Sequence, residues 1–352
     1  PTRCEQARMN IVVVTEYLRA KPWATGRWAC AIAAGLDERG YRVTVLCDGT
    51  ETTTPFGDVE VVQRNPMRRH TQRQPLRFAR WAHAQIEARS PDATISCVHT
   101  VATHHWFPVG PRVVDEFDDL LNKRSPVSFA LSLAHQPWLP QAWVAARRAR
   151  SLGHTPRCPT AIGFASMLDR DDDAALAARR ARAREALGLS GRVVVVSATD
   201  PQRRDITRLL EAVDALDAML LIAGGRAHAI TTWADENTFS HRVRSVGPTS
   251  RMADVLAAAD VAVVPSPSDG TARFAADALR VGRPVICAAG GASARLAAEY
   301  PGAAMRCDGN WSDVLARAFD GDSASVARAA GRDLGFGTWL DRFERKALGG
   351  SP

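Results

Sequence analysis

Residues 261–289 read VAVVPSPSDGTARFAADALRVGRPVICAA, and their order decides the fold. The apolar run 261–264 is short enough for a buried strand, and Pro265-Ser266 ends it. A short polar loop follows, Asp269-Gly270 opens a helical pattern over 271–281, and Gly282-Arg283-Pro284 leads into a second apolar run at 284–287. Strand, loop, helix and strand in that order make a βαβ unit, whose strands are parallel and whose sheet is covered on both faces. The eight-residue step from Asp269 to Asp277 is slightly over two helical turns, so a helix running through both points their carboxylates to nearly the same side. The free N–H groups of Gly270, Thr271 and Ala272 at the helix start then face an anion or sugar hydroxyls in the crevice beyond the strand ends.

Outward from this stretch the same alternation runs through the chain. Strand patterns fall at 192–197, 218–223, 242–246 and 303–306, with helical patterns at 203–216, 250–258 and 292–299. In the first half the strand patterns are 10–15, 42–47, 59–62, 93–98 and 112–115. Between the first two lies a helix over 25–39, with Trp28, Ile32 and Leu36 on one face and Gly40 as its left-handed stop. An α/β architecture of parallel sheets follows, and all-α and all-β folds are excluded. A length of 352 residues fits two domains of about 150 residues each. The shift from a Pro-containing segment to an acidic run at 155–173 places the boundary, giving domains at 9–160 and 161–335. Residues 1–8 read as an unstructured leader, and the Ala/Arg-rich stretch 174–187 as a solvated helix with no legible function.

No run of 18 apolar residues occurs and the N-terminus lacks a signal-peptide layout, which argues against a membrane span. Seven cysteines without a CxxC pair are no disulfide framework, and a reducing cytoplasm is the simpler location. The net charge of +7 suits nucleic acid, an anionic membrane or a phosphorylated substrate, and compositional bias accounts for it as well. From Arg64 to Arg80 the chain holds six arginines and no acid, with Phe78 interleaved. This stretch reads either as peripheral contact with an anionic membrane or as a solvated helix face after Pro75.

The stretch 261–289 resembles the retaining glycosyltransferases of family 4 and their relatives, the glycosyl transferases group 1. Their pattern is P-S-x-x-E-G-F-G-x-x-x-x-E-A-x-x-x-G-x-P-V-I, with acids eight apart. Asp269 and Asp277 stand at the two Glu positions, Gly270 at the first Gly, and Ala278, Gly282, Pro284, Val285 and Ile286 on their counterparts. Both acids are shortened by a methylene, and the Phe-Gly pair is Thr271-Ala272. The resemblance implies the GT-B fold, two Rossmann-like doubly wound parallel-sheet domains facing a central cleft. It also implies transfer of a sugar from a nucleotide-diphosphate sugar, with UDP- or GDP-sugars as expected donors, retention of configuration and no metal or other cofactor. Asp269 then contacts the donor sugar and Asp277 the nucleotide ribose.

Residues 196–213, VSATDPQRRDITRLLEAV, are similar to the family segment that binds the diphosphate. Arg204 takes the Lys position there, Thr199 stands where an Arg is usual, and Arg203 is its substitute or a solvent-facing neighbour. Gly247 falls where relatives approach the nucleobase, and Gly26 where a glycine approaches the donor phosphate, although a helix-entry turn explains Gly26 equally. The last amphipathic helix, within 336–349, resembles the terminal segment that crosses back to the first domain.

In the first half, His99, His104 and His105 follow a strand pattern. His99 and His104 read as acceptor-site residues, since no acid or Cys at matching spacing argues for a metal. Relatives place acids after the next strand, so Asp118 is the candidate to orient the acceptor hydroxyl and Asp119 to contact the acceptor. An acid-rich helix start reads equally well there. The expected acceptor is a glycan, a lipid-linked glycan or a small molecule. Two alternatives stand beside this reading: an inverting transferase or epimerase on the same fold, and a non-catalytic protein that binds nucleotide sugar or a partner. Nucleic-acid binding rests on net charge alone, and a nicotinamide dehydrogenase is disfavoured because residues 14–18 lack GxGxxG.

Overall fold

The computed structural model describes residues 9–18, 25–50, 57–64, 75–98, 101, 105–106, 144, 165–197, 203–224, 227–247, 249–265, 272–289, 291–320 and 322–348. The chain divides into two compact units, Pro1–Ile162 with Leu340–Pro352, and Gly163–Trp339.

In the first unit β1 (Asn10–Leu18), β2 (Arg42–Thr50), β3 (Glu60–Gln63), β4 (Ala93–Ser96) and β5 (His105–Trp106) form one parallel sheet in the order β3-β2-β1-β4-β5. Residues 11–15 of β1 are all fully buried, as the continuous apolar run of a centrally placed parallel strand requires. Helix α1 (Thr25–Glu38) buries Trp28, Ile32 and Leu36 and stops at Gly40, whose φ of +88° only glycine adopts at little cost. Helix α2 (Pro75–Arg89) lays Phe78, Ala79 and Ala82 on a core with Val12, Val14 and Leu46. Phe78 is therefore core, while Arg77 and Arg80 are exposed and Arg64 pairs with Asp48 at 2.5 Å. The rest of the Arg-rich stretch, 65–74, lies outside the described residues, as does the strand expected at 112–115.

The second unit holds β6 (Arg192–Ser197), β7 (Ala218–Ala223), β8 (Val243–Gly247), β9 (Val261–Val264), β10 (Val285–Ala288) and β11 (Ala304–Cys307), all parallel, in the order β11-β10-β9-β6-β7-β8. Its helices are α3 (Asp173–Leu187), α4 (Arg203–Ala215), α5 (Ala227–Glu236), α6 (Met252–Ala258), α7 (Arg273–Arg280), α8 (Gly291–Glu299), α9 (Trp311–Asp320) and α10 (Ser323–Ala330). Leu209, Leu210 and Val213 of α4 and Trp311, Val314 and Leu315 of α9 cover one face of the sheet over Val194, Leu220, Val263 and Ile286.

Helix α3 is capped at both ends, by the Asp172 carboxylate, which accepts from Ala175 N at 2.7 Å, and by Gly188 in the left-handed region. The segment 174–187 is a largely solvated helix, as read, and its inner side packs on α6 and sends arginines into the end of that helix. Arg180 Nη1 donates to the carbonyls of Ala257, Ala258 and Ala259, and Arg180 Nη2 meets Asp260 at 2.5 Å. Four carbonyls at a helix end lack intrahelical partners, and a guanidinium fork satisfies several at once.

The last helix, α11 (Phe336–Ala347), starts in the second unit and finishes in the first. In the first unit Arg39 meets Asp341 at 2.6 Å, and the Tyr41 hydroxyl donates to Glu344 at 2.7 Å. Burial and the neighbouring Glu344 carboxylate push the Tyr41 phenol up to about 12.

Candidate functional site

The site is built at the place where the second sheet changes direction. Strands β6 and β9 are parallel neighbours, with Val194 opposite Val261 and Val196 opposite Val263. From β6 the chain proceeds through α4 to β7 and β8 on one side, and from β9 through α7 to β10 and β11 on the other. Right-handed crossovers in opposite directions put α4 and α7 on opposite faces and open a crevice beyond the carboxyl ends of the two strands.

Both motif segments leave from those two strand ends. β6 ends at Ser197, and after 198–202 the helix α4 begins with Arg203-Arg204. β9 ends at Val264, and after 266–271 the chain reaches Ala272 and α7. Asp269, Gly270 and Thr271 lie outside the described residues, as do the side chains of Arg203 and Arg204.

Helix α7 corrects one expectation. It begins at Arg273, not 271, because Ala272 adopts φ 49° and ψ 19°, in the left-handed region. Ala272 thus stands outside α7, and helical spacing counted through it does not relate Asp269 to Asp277. The family pattern has glycine at this position, and an L-residue there carries a cost of about 1–2 kcal/mol.

Asp277 lies in the second turn of α7 and is 2% exposed. Its Oδ1 accepts a hydrogen bond from the hydroxyl of Ser166 at 2.6 Å, and Ser166 is itself 1% exposed. Ser166 is held on three further sides: its N–H donates to Leu334 O at 2.7 Å, its Oγ accepts from Leu168 N at 3.1 Å, and it bridges Gly335. Ser166 was not among the sequence candidates. It stands 111 residues from Asp277 in a segment without a motif, and no pattern read along the chain pairs them.

Gly247 ends β8 with φ +60°, and its carbonyl accepts from Gly224 N at 2.8 Å, joining the carboxyl ends of β7 and β8. It lies on the same edge of the sheet as the switch point, two strands away from β6.

The first sheet has its own switch point between β1 and β4. Gly26, the second residue of α1, follows β1 and is buried. β4 ends at Ser96, whose hydroxyl donates to Val98 O at 2.7 Å and accepts from Val98 N at 3.2 Å, turning the chain just before His99. His99, His104, Asp118 and Asp119 lie outside the described residues. Among the described residues, no group of three or more His, Cys, Asp or Glu side chains is placed to hold a metal ion, and no helix is long and apolar enough to cross a membrane.

Residues 190–320 match the family model for glycosyl transferases group 1. The D-inositol 3-phosphate glycosyltransferase of Mycolicibacterium smegmatis is 32% identical over 144 residues, covering 37% of this chain and 33% of that protein. A protein of the same description from Mycobacterium sp. (strain KMS) is 32% identical over 166 residues, covering 43% and 38%. The chain thus spans about a third of the length of the curated relatives it matches. Among solved structures, WaaG, a glycosyltransferase involved in lipopolysaccharide biosynthesis, superposes with a TM-score of 0.68 at 14% identity, over 97% of this chain and 100% of WaaG. Anabaena Alr3699/HepE in complex with UDP and glucose gives 0.59 at 14% identity, over 98% and 100%. The chain therefore has the GT-B fold of two parallel-sheet α/β domains, and residues 190–320 of the second are similar to the glycosyl transferases group 1.

Proposed function

We propose that this protein transfers a sugar from a nucleotide-diphosphate sugar to a hydroxyl acceptor, with the donor held at the β6/β9 switch point. The observation that supports the reading is that β6 and β9 are adjacent parallel strands whose carboxyl ends, Ser197 and Val264, lead in sequence into the two motif segments. Arg204 and Arg203, with the helix-start N–H groups, take the charge that develops on the departing diphosphate. This replaces a divalent ion. Asp269 accepts from donor-sugar hydroxyls, Gly270, Thr271 and Ala272 present backbone N–H groups, Asp277 reads the ribose, Gly247 approaches the base and Gly26 the phosphate. His99, His104, Asp118 and Asp119 belong to the acceptor side, where Asp118 orients the attacking hydroxyl.

UDP-sugars come first among donors because HepE is described in complex with UDP and with UDP-glucose, and GDP-sugars second. The acceptor class is a glycan, a lipid-linked glycan or a small polyol, and D-inositol 3-phosphate is the first small acceptor to try, after the curated relatives. Retention of configuration, a cytoplasmic location and a peripheral contact of 64–80 with anionic membrane belong to the same proposal.

Calorimetry against UDP, GDP, ADP, TDP and CMP tests the donor site. One nucleotide is expected to bind saturably, and Arg204→Ala to weaken it by roughly 10- to 100-fold, the loss of one charge-assisted contact. Binding of none of the five sinks the donor site. A non-catalytic reading has one observation in its favour: Ala272, where the family pattern has glycine, is held in the left-handed region at the start of α7. Saturable binding without turnover of UDP-glucose or GDP-mannose, with or without D-inositol 3-phosphate, selects that reading.

A further inference from the structure

We infer that Ser166 is a positioning residue for donor recognition: its hydroxyl aims the Asp277 carboxylate at the nucleotide ribose, so that the Ser166–Asp277 pair sets the preference for ribo- over 2′-deoxyribonucleotides. The inference rests on the donor site proposed above and adds to it a residue that no motif contains.

The direction of the bond is fixed by hydrogen-bond inventory. A serine hydroxyl has one proton and two lone pairs. Ser166 Oγ already accepts from Leu168 N at 3.1 Å, and its proton goes to Asp277 Oδ1 at 2.6 Å. The hydroxyl cannot swing away, because the serine backbone is tied to Leu334 O at 2.7 Å and bridged to Gly335. The fixed serine hydroxyl therefore restricts the rotamer of Asp277.

Length makes that selection matter. An aspartate side chain has two torsions where glutamate has three, and its carboxylate sits one methylene closer to the helix. From the second turn of α7 it meets a ribose hydroxyl only within a narrow range of angles, which a fixed donor on one oxygen helps to set. Burial strengthens the effect, since both residues are at most 2% exposed and a hydrogen bond to a carboxylate gains strength away from water. An apolar pair of similar volume would fill the same space without desolvating a carboxylate. Keeping Ser and Asp here is accounted for by a ligand that uses the carboxylate.

The test uses the full chain and calorimetry with UDP and 2′-deoxy-UDP, and with GDP and 2′-deoxy-GDP. The parent is expected to bind one ribonucleotide about tenfold or more tightly than its 2′-deoxy counterpart, the worth of one hydrogen bond to a charged group. Ser166→Ala should weaken the ribonucleotide by about tenfold and leave the deoxy form within about twofold, so that the ratio collapses toward one. Ser166→Cys keeps the size with a weaker donor, should fall between the two, and carries the test by itself if the alanine variant does not fold. In an Asp277→Asn background Ser166→Ala should change the ratio no further, because the serine acts through the carboxylate. A folded serine variant that keeps the parent ratio, or one that weakens both nucleotides equally, overturns the inference while leaving the donor site standing. A parent that binds none of the four overturns the donor site and this inference together.

Discussion

Ala272 shows how a single backbone angle records a departure from the family pattern. An alanine held at φ 49° pays for its Cβ, and it is fully buried at the start of α7. Ala272→Gly should therefore stabilise the protein by about 0.5–1 kcal/mol after the added chain entropy is subtracted, which raises the thermal midpoint of the second unit by roughly 2 °C. Ala272→Val should lower it, since a β-branched residue is a true outlier there. Scanning calorimetry of the two variants beside the parent checks both signs. The thiols of the first unit give a pH prediction. Burial pushes Cys30 up to about 11 and Cys47 up to about 12, and raises Cys97 as well. A folded pKa above the unfolded value means that the stability is fully present below about pH 8.5, the ordinary thiol range, and is lost as pH rises through the folded values. The urea midpoint should hold from pH 7 to 8 and fall between pH 9 and 11, and Cys47→Ala should make that fall shallower. The resemblance to the family pattern singled out Asp277, and the structure describes it as a buried acid in α7. The sequence could not show Ser166, because a partner 111 residues away leaves no periodic trace, and it misplaced the helix start, because helical spacing is silent about one left-handed residue.

At the level of elements, the buried parallel strands were the most legible features. β6, β7 and β9 fall on the residues that their apolar runs predict, since a strand covered on both faces is apolar at nearly every position and its ends are sharp. Short helices were less legible. α10 buries one residue of its eight, Ala327, so no stripe marks it. α3 was read correctly as a largely solvated helix, but its packing was not. Only Leu176 and Ala183 are buried, and the rest of its contact surface is made of arginine tips, which an Ala/Arg composition does not reveal until the carbonyls of Ala257, Ala258 and Ala259 are seen beneath Arg180. Arg180→Met keeps the stem and removes the donors. It should cost about 1–2 kcal/mol in urea unfolding, because the carbonyls of Ala257 and Ala259 lose their donor, while Asp260 keeps Val193 N and Ala258 keeps Arg184. Arg180→Lys should recover less than half of that, since one ammonium cannot serve three carbonyls and a carboxylate in a fixed fork. Recovery to parental stability by lysine would mean that charge, not geometry, holds α3 to α6.

For the molecule as a whole, the order of the chain sets which part can stand without the other. The second unit is one continuous segment, Gly163–Trp339, whose six strands and their covering helices α3 to α10 all come from within it. The first unit is discontinuous, because Leu340–Pro352 returns to it after the second unit is finished. The returning segment carries Leu340 and Phe343, at 1% and 2% exposure, and the acids that pair with Arg39 and Tyr41. Losing two buried apolar side chains of this size costs about 2–5 kcal/mol each, a large share of the 5–15 kcal/mol that holds a domain folded. A fragment of residues 163–339 should therefore unfold cooperatively by circular dichroism and retain nucleotide affinity within about tenfold of the full chain. That margin allows for the loss of about one hydrogen bond's worth of affinity on truncation. A fragment of residues 1–162 should lack a cooperative transition and gain one when a peptide of residues 336–349 is added, with a midpoint that rises with peptide concentration. If 1–162 folds as well without the peptide as with it, the last helix is an appendage to the first unit. A transition that requires the peptide makes the helix part of that unit's core, so that the first unit is completed only after the second has been synthesised.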